Sequence, residues 1–238
     1  MKAIKIVHLY SERMSIYGDY GNIIALSQRM NWRGINNTTI QVEVGQPLPK
    51  DFDILFIGGG QDKGQVIVAE DLASKSEEIH NFVESGGPLL AVCGGYQLLG
   101  EYFISNDYGE IKGIGIFNII SRATTERMIG NIVVKSEKFG QLIGFENHSG
   151  ATEFVGRAHP LGEVRKGFGN NHSDKLEGAI YKNAIGTYMH GSFLPKNPMV
   201  CDWLIQKALL RANRPTGLEE INDDIELLAR KKASKRPQ

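Results

Sequence analysis

Two short runs constrain this chain most. Ile54–Ile57, inside "DILFI", and Leu89–Val92, inside "PLLAV", are apolar at every position. Such runs are too short for buried helices, and an unbroken apolar run belongs to a strand covered on both faces. One ends in "GGGQD" and the other in "CGGYQ", and each then passes into an amphipathic stretch. A strand buried on both faces needs helices on both sides, which points to an open α/β sheet.

The surrounding pattern agrees. Ala3–Tyr10 reads as a strand, and "TIQVEV" as another. Asn22–Gly34 reads as a helix capped by Asn22 and closed by Gly34. Gln65 to Ser85 reads as helix in two pieces, and "GYQLLGEYF" as the helix after the second apolar run. The middle changes character: "GIGIFNII", "GNIVVKSE", "GQLIGFENHSG" and "TEFV" are strand-like and punctuated by glycine, without helices between them. "KGFGNNHSDKLEGAIYKN" reads as a long hairpin or loop, "AIGTYMHG" as a further strand. "PMVCDWLIQKALLRAN" and "LEEINDDIELLARKKA" read as helices separated at "RPTG". The expected fold class is α/β, a mostly parallel sheet flanked by helices with a mixed or antiparallel extension. The main unit is residues 1–212; residues 213–238 form a helical extension and basic tail belonging to the same unit.

Composition removes several functions. Lys plus Arg and Asp plus Glu both number 27, so no net charge favours nucleic acid. The basic ending "ARKKASKRPQ" reads as a solvated tail. No apolar run approaches the ~20 residues of a membrane span. The start has charges inside its hydrophobic stretch and no small-residue cleavage site, so an export signal is not expected. The 2 cysteines, Cys93 and Cys201, make neither a disulfide framework nor a zinc site, and the cytoplasm is the expected compartment.

Chemistry concentrates beyond the carboxyl ends of strands, where open α/β sheets build their sites. Cys93 stands at a strand-to-helix corner with Gly94 and Gly95 behind it. Most free cysteines are small buried hydrophobes. This one has the setting of a nucleophile elbow, with glycines to admit a tight turn and a helix N-terminus to favour the thiolate. Cys201 sits within an apolar helical pattern and reads as packing. Of the 6 histidines, His190 in "GTYMHG" ends a strand-like run and is the expected base; His148 in "GFENHSG" is its competitor. His8, His80, His159 and His172 carry no supporting context. The Gly58–Gly60 loop can bare backbone N–H groups, so Gly59 and Gly94 are the expected oxyanion donors. It lacks the endings of phosphate-binding loops, and no other ATP site is visible.

Cys93, His190 and the Gly58–Gly60 loop together resemble the class I (triad-type) glutamine amidotransferases, in the spelling of the cobyric acid synthase-like branch. A closer likeness is to the GatD family, glutaminase subunits of lipid II isoglutaminyl synthases. It rests on "LYSERMSIYGDYGNIIAL", "DILFIGGGQD", "VCGGYQLLG", "IGFENHSG", "GFGNN" and "YKNAIGTYMHGSFLPKNP", in that order, and weakens after about Arg211.

The resemblance implies a glutaminase that forms a cysteine thioester and passes ammonia to a Mur-ligase-like partner, MurT. That partner would hold ATP and Mg and amidate D-glutamate of the lipid II stem peptide; no cofactor is expected in this chain. It also implies that Arg127, in "TTERMIGNI", holds the glutamine carboxylate, with Gly60 and Gln97 beside it; as a strand-end residue, Arg127 otherwise reads as a solvated charge. One departure stands out. The family usually carries a glutamate two residues after the histidine, and Ser192 stands there. The site is then either a Cys–His dyad or one completed by another carboxylate. The resemblance implies an aspartate from the partner, and hence a weak glutaminase in isolation. Other readings are an amidotransferase serving a cobyrinate-type acceptor, a cysteine peptidase or deglycase on the same scaffold, and a subunit that only binds.

Overall fold

Ile54–Ile57 and Leu89–Val92 occupy the middle of a sheet, and all eight side chains are buried. The structure, a computed structural model, describes residues 2–156, 158–190 and 192–236. In chain order the elements are β1 (Ile4–Leu9), α1 (Tyr20–Asn31), β2 (Asn37–Val42), β3 (Ile54–Ile57), α2 (Asp62–Ser74), α3 (Ser76–Glu84) and β4 (Leu89–Val92). Then come α4 (Gly94–Leu98), β5 (Tyr102–Ser105), β6 (Gly109–Lys112), β7 (Ile119–Ser136), β8 (Gly140–Phe154), β9 (Gly162–Lys166) and β10 (Leu176–Glu177). The chain closes with β11 (Ala179–Tyr181), β12 (Ala184–Thr187), β13 (Met189–His190), α5 (Phe193–Lys196), α6 (Pro198–Arg211) and α7 (Asp224–Ser234).

The first sheet runs β11-β12-β4-β3-β1-β2. Its pairs are parallel except β11 on β12, an antiparallel edge hairpin. The order turns back between β1 and β3, and ligands of such sheets sit at that crevice, outside the carboxyl ends. The second sheet contains the path β10-β9-β7-β5-β6, with β8 paired to β7 and to β13. Long β7 and β8 form an antiparallel ribbon whose register slips between Ala123 and Met128. The α/β class with a mixed extension is therefore as the sequence indicates. The glycine-punctuated runs of the middle region fuse into this ribbon instead of remaining separate short strands.

Three local expectations change. The helix after Cys93 is only Gly94–Leu98, and "EYF" has already entered β5. Gly100 ends it: its N–H reaches back to Gln97 O, and Ile119 packs against it too closely for any side chain. Helix α1 starts at Tyr20, so Asn22 is not its cap; its buried side chain instead accepts a hydrogen bond from Leu194 N at 2.8 Å. "AIGTYMH" is two strands broken at Tyr188. The Glu177 carboxylate accepts from Thr187 Oγ1 at 2.5 Å and from Tyr188 N at 3.0 Å, which ends the β12 ladder. Gly34 does close α1, with φ of +65° and Ile35 N bonded to Met30 O.

Residues 214–236 stay on the same body. Buried Arg29 of α1 pairs with Asp202 of α6 at 2.6 Å and with Asp223, just before α7, at 2.5 Å. Arg33 adds a bond to Glu219 O. Among the described residues no helix is long and apolar enough to cross a membrane.

Candidate active site

Strand β4 delivers Cys93 to the crevice. The residue has φ of 49° and ψ of −107°, a left-handed conformation that a side chain adopts only under constraint. The constraint is visible on both sides. Cys93 N donates to Thr187 O at 2.8 Å, and Gly95 N to Gly58 O at 3.1 Å. The thiol is thereby held up from a sharp turn, as the elbow reading requires. Helix α4 is little more than one turn, so the dipole that the sequence suggested contributes little charge here.

His190 arrives from the other sheet. After Tyr188 the chain leaves β12, and β13 pairs with β8, placing His190 opposite Phe145. The ring is fully buried, with Tyr17 edge-on at 5.1 Å. Its Nδ1 lies 3.1 and 3.2 Å from the two carboxylate oxygens of Asp19, a fully buried residue. That contact places the proton on Nδ1 and leaves Nε2, which meets no N or O hydrogen-bond partner among the described residues, as the basic nitrogen for the thiol. Burial by itself pulls His190 down. The charge of a Cys93 thiolate and the hydrogen bond to Asp19 outweigh it and push the imidazolium up to about 10.

Asp19 corrects the expectation that His190 lacks a carboxylate within its own chain. It comes from the loop between β1 and α1, in "GDYG", where flanking glycines mark a tight loop but nothing marks the acid. Ser192, at the usual glutamate position, instead donates Oγ–H to Gly18 O at 2.8 Å. It ties the loop that carries Asp19 to the segment that carries His190.

The oxyanion donors also need correction. Gly59 N–H is already given to Asp19 Oδ2 at 2.8 Å. Gly59 is pressed between the two residues: a β-carbon there would lie 2.5 Å from His190 Cε1 and 3.3 Å from Cys93 Cβ. The next amide, Gly60 N, sits 3.0 Å from where a β-carbon on Gly94 would stand. The backbones at Gly60 and Gly94 therefore pass close to one another beside Cys93, while the Gly59 N–H is engaged by Asp19.

A cavity of about 180 Å³ opens beside Cys93, lined among others by Gly60, Gln97, Arg127 and His148. Arg127 stands in the slipped segment of the ribbon and donates to Asn147 Oδ1 at 2.8 Å and Tyr17 OH at 3.1 Å. Gln97 lines the cavity with its amide held at both ends, accepting from Gln65 and donating to Tyr188 OH. His148, the competitor for base, stacks on Tyr188 at 3.6 Å and bonds Gly150 O through Nδ1. Burial pulls it down to about 3, and no carboxylate bonds it among the described residues. Cys201 is buried in α6, where burial pushes its thiol far up. His8 is buried between the Tyr20 and Phe56 rings and is pulled down to about 4. A larger cavity, about 1030 Å³, lies at the amino ends of β1 and β3 and contains none of this chemistry.

Residues 5–198 match the CobB/CobQ-like glutamine amidotransferase domain. The chain belongs to that family. Among curated members it is 40% identical over 233 residues to the "Lipid II isoglutaminyl synthase (glutamine-hydrolyzing) subunit GatD" of Staphylococcus aureus (strain N315), covering 97% of this chain and 94% of that one. It is 39% identical over 209 residues to the protein of the same name from Streptococcus pneumoniae (strain ATCC BAA-255 / R6), covering 87% and 80%. A solved glutamine amidotransferase superposes with a TM-score of 0.60 at 14% identity, covering 85% of this chain and 98% of that one. At that identity the likeness speaks for the fold, and it agrees with the layered sheet described above. In this amidotransferase the Cys93 corner is on the first sheet and His190 on the second, so the two residues meet across the seam between them.

Proposed function

We propose that this amidotransferase hydrolyses L-glutamine to glutamate and ammonia through a thioester on Cys93. The observation that carries the reading is the convergence of Cys93, His190 and Asp19 beside a cavity of amino-acid size, in a chain 40% identical to a glutamine-hydrolysing subunit. Glutamine lies with its carboxylate toward Arg127, which can grip it bidentately, and its side-chain amide over Cys93. The Cys93 sulfur attacks the amide carbon, and the oxygen takes the charge toward the N–H groups of Gly60 and Gly94. The C–N bond breaks as His190 gives its Nε2 proton to the leaving nitrogen, which departs as ammonia. Water then gives a proton to His190 and attacks the thioester; glutamate leaves and the thiolate is restored. Asp19 keeps the imidazole in one orientation and stabilises its charged form throughout.

The ammonia is used elsewhere. The names of the relatives describe a subunit of a lipid II isoglutaminyl synthase, and the same assembly is proposed here. The partner would be a Mur-ligase-like synthetase of the MurT kind, holding ATP and Mg, in the cytoplasm. It would activate the α-carboxyl of D-glutamate in the stem peptide, and ammonia would convert it to D-isoglutamine. The test is amidation of lipid II by the complex carrying Cys93→Ala. Glutamine-dependent amidation should vanish while amidation from ammonium salts persists; loss of both would make Cys93 structural.

A further inference from the structure

The cavity beside Cys93 holds one cation and one anion that do not neutralise each other. Arg127 spends its described hydrogen bonds on the neutral groups of Asn147 and Tyr17. Asp62, the first residue of α2, also lines the cavity, and among the described residues its carboxylate accepts from Ser105 Oγ, at 2.6 Å. Among the described residues neither enters an ion pair. We propose that Asp62 receives the α-ammonium group of glutamine while Arg127 receives its α-carboxylate, so that the two together select a zwitterion. This rests on the glutaminase reading.

The chemistry favours this arrangement over simpler accounts. An acid in the first turn of a helix is stabilised by the helix dipole, which explains why Asp62 tolerates its position. It does not explain why that acid faces the same small cavity as the nucleophile and an unpaired arginine. Another acceptor lining the cavity, without a hydrogen-bond partner among the described residues, is His148 Nε2. With Nδ1 bonded to Gly150 O this nitrogen carries a lone pair but no charge, and an ammonium bonds more strongly to a carboxylate. A carboxylate in a partly enclosed site also repels ligands that bring only negative charge. Glutaramate, glutamine without its α-amino group, is such a ligand.

The experiment compares glutamine with glutaramate in the full chain, alone and with its partner subunit. Asp62→Asn keeps an acceptor for Ser105 and removes the charge. The expected result is a KM for glutamine higher by about 10- to 100-fold, with kcat within about threefold. Activity on glutaramate should hold or rise, so the preference for glutamine collapses. Calorimetric binding of both ligands to Cys93→Ala, with and without Asp62→Asn, gives the same comparison without turnover. Equal losses on both ligands, no loss on either, or a preference abolished by His148→Gln and not by Asp62→Asn would overturn the assignment and leave the glutaminase reading intact. If the parent chain neither hydrolyses nor binds glutamine, both fall together.

Discussion

Asp19 presents both carboxylate oxygens to His190 Nδ1, at 3.1 and 3.2 Å, and one of the same oxygens accepts the Gly59 amide. One acid thus orients His190 and pins the Gly58–Gly60 loop.

Asp19→Asn removes the charge and keeps the shape. The amide no longer stabilises the imidazolium, and kcat for glutamine should fall by about 100-fold. The sign of the pH effect is fixed. The Asp19 hydrogen bond raises His190, so its loss lowers the histidine, and the alkaline limb of kcat/KM should move to lower pH. A pH–rate series on both proteins measures it.

Gly59→Ala puts a methyl group where His190 Cε1 already stands, 2.5 Å away. The imidazole must shift off Asp19 or the loop must move off Cys93. Activity should fall by ~100-fold or more, since misplacement near 1 Å costs that much. The melting transition should survive with a loss of about 1–3 kcal/mol. Retained activity in a folded variant would remove the crowding argument.

Arg127→Lys keeps a positive charge without the planar fork. The KM for glutamine should rise by roughly tenfold with kcat little changed, because the lost contact is to a part of the substrate that does not react. A fall in kcat alone would place the arginine nearer the reacting atoms.

Glu177 is fully buried, and burial pushes its carboxyl up to about 7 in spite of the Thr187 and Tyr188 hydrogen bonds. A carboxyl raised on folding contributes stability fully present below its unfolded value and lost as pH rises through about 7. Glu177→Gln, which cannot ionise, should therefore gain stability relative to the parent between pH 4 and pH 8, by on the order of 3 kcal/mol. Denaturant titrations at the two pH values check it; parallel changes in both proteins would sink the idea.

What could be read from sequence was local. Ile54–Ile57 and Leu89–Val92 announce buried strands because four apolar residues in a row have no other economical use. The glycines after Cys93 announce a sharp turn. His190 was found because a strand-like run and a glycine bracket it. Asp19 carries no local mark for a physical reason: nothing within a few residues of it depends on its charge, and its partner lies 171 positions along the chain. Three adjacent glycines look alike in sequence, and only the fold shows that the Gly59 N–H is taken by Asp19. The over-long helix after Cys93 came from reading "LLGEYF" by periodicity, where contact with Ile119 decides.

The sheet order has a consequence for how the enzyme is made. Strand β4 carries Cys93, yet its outer neighbour is β12, and His190 follows only after the whole β7–β8 ribbon has been synthesised. Chains are built from the amino terminus, so a ribosome-bound intermediate exposes a thiol with no base and an acid with nothing to orient. Cys93 and His190 can therefore meet only once Ala184–His190 has been made and has paired with β4 and β8.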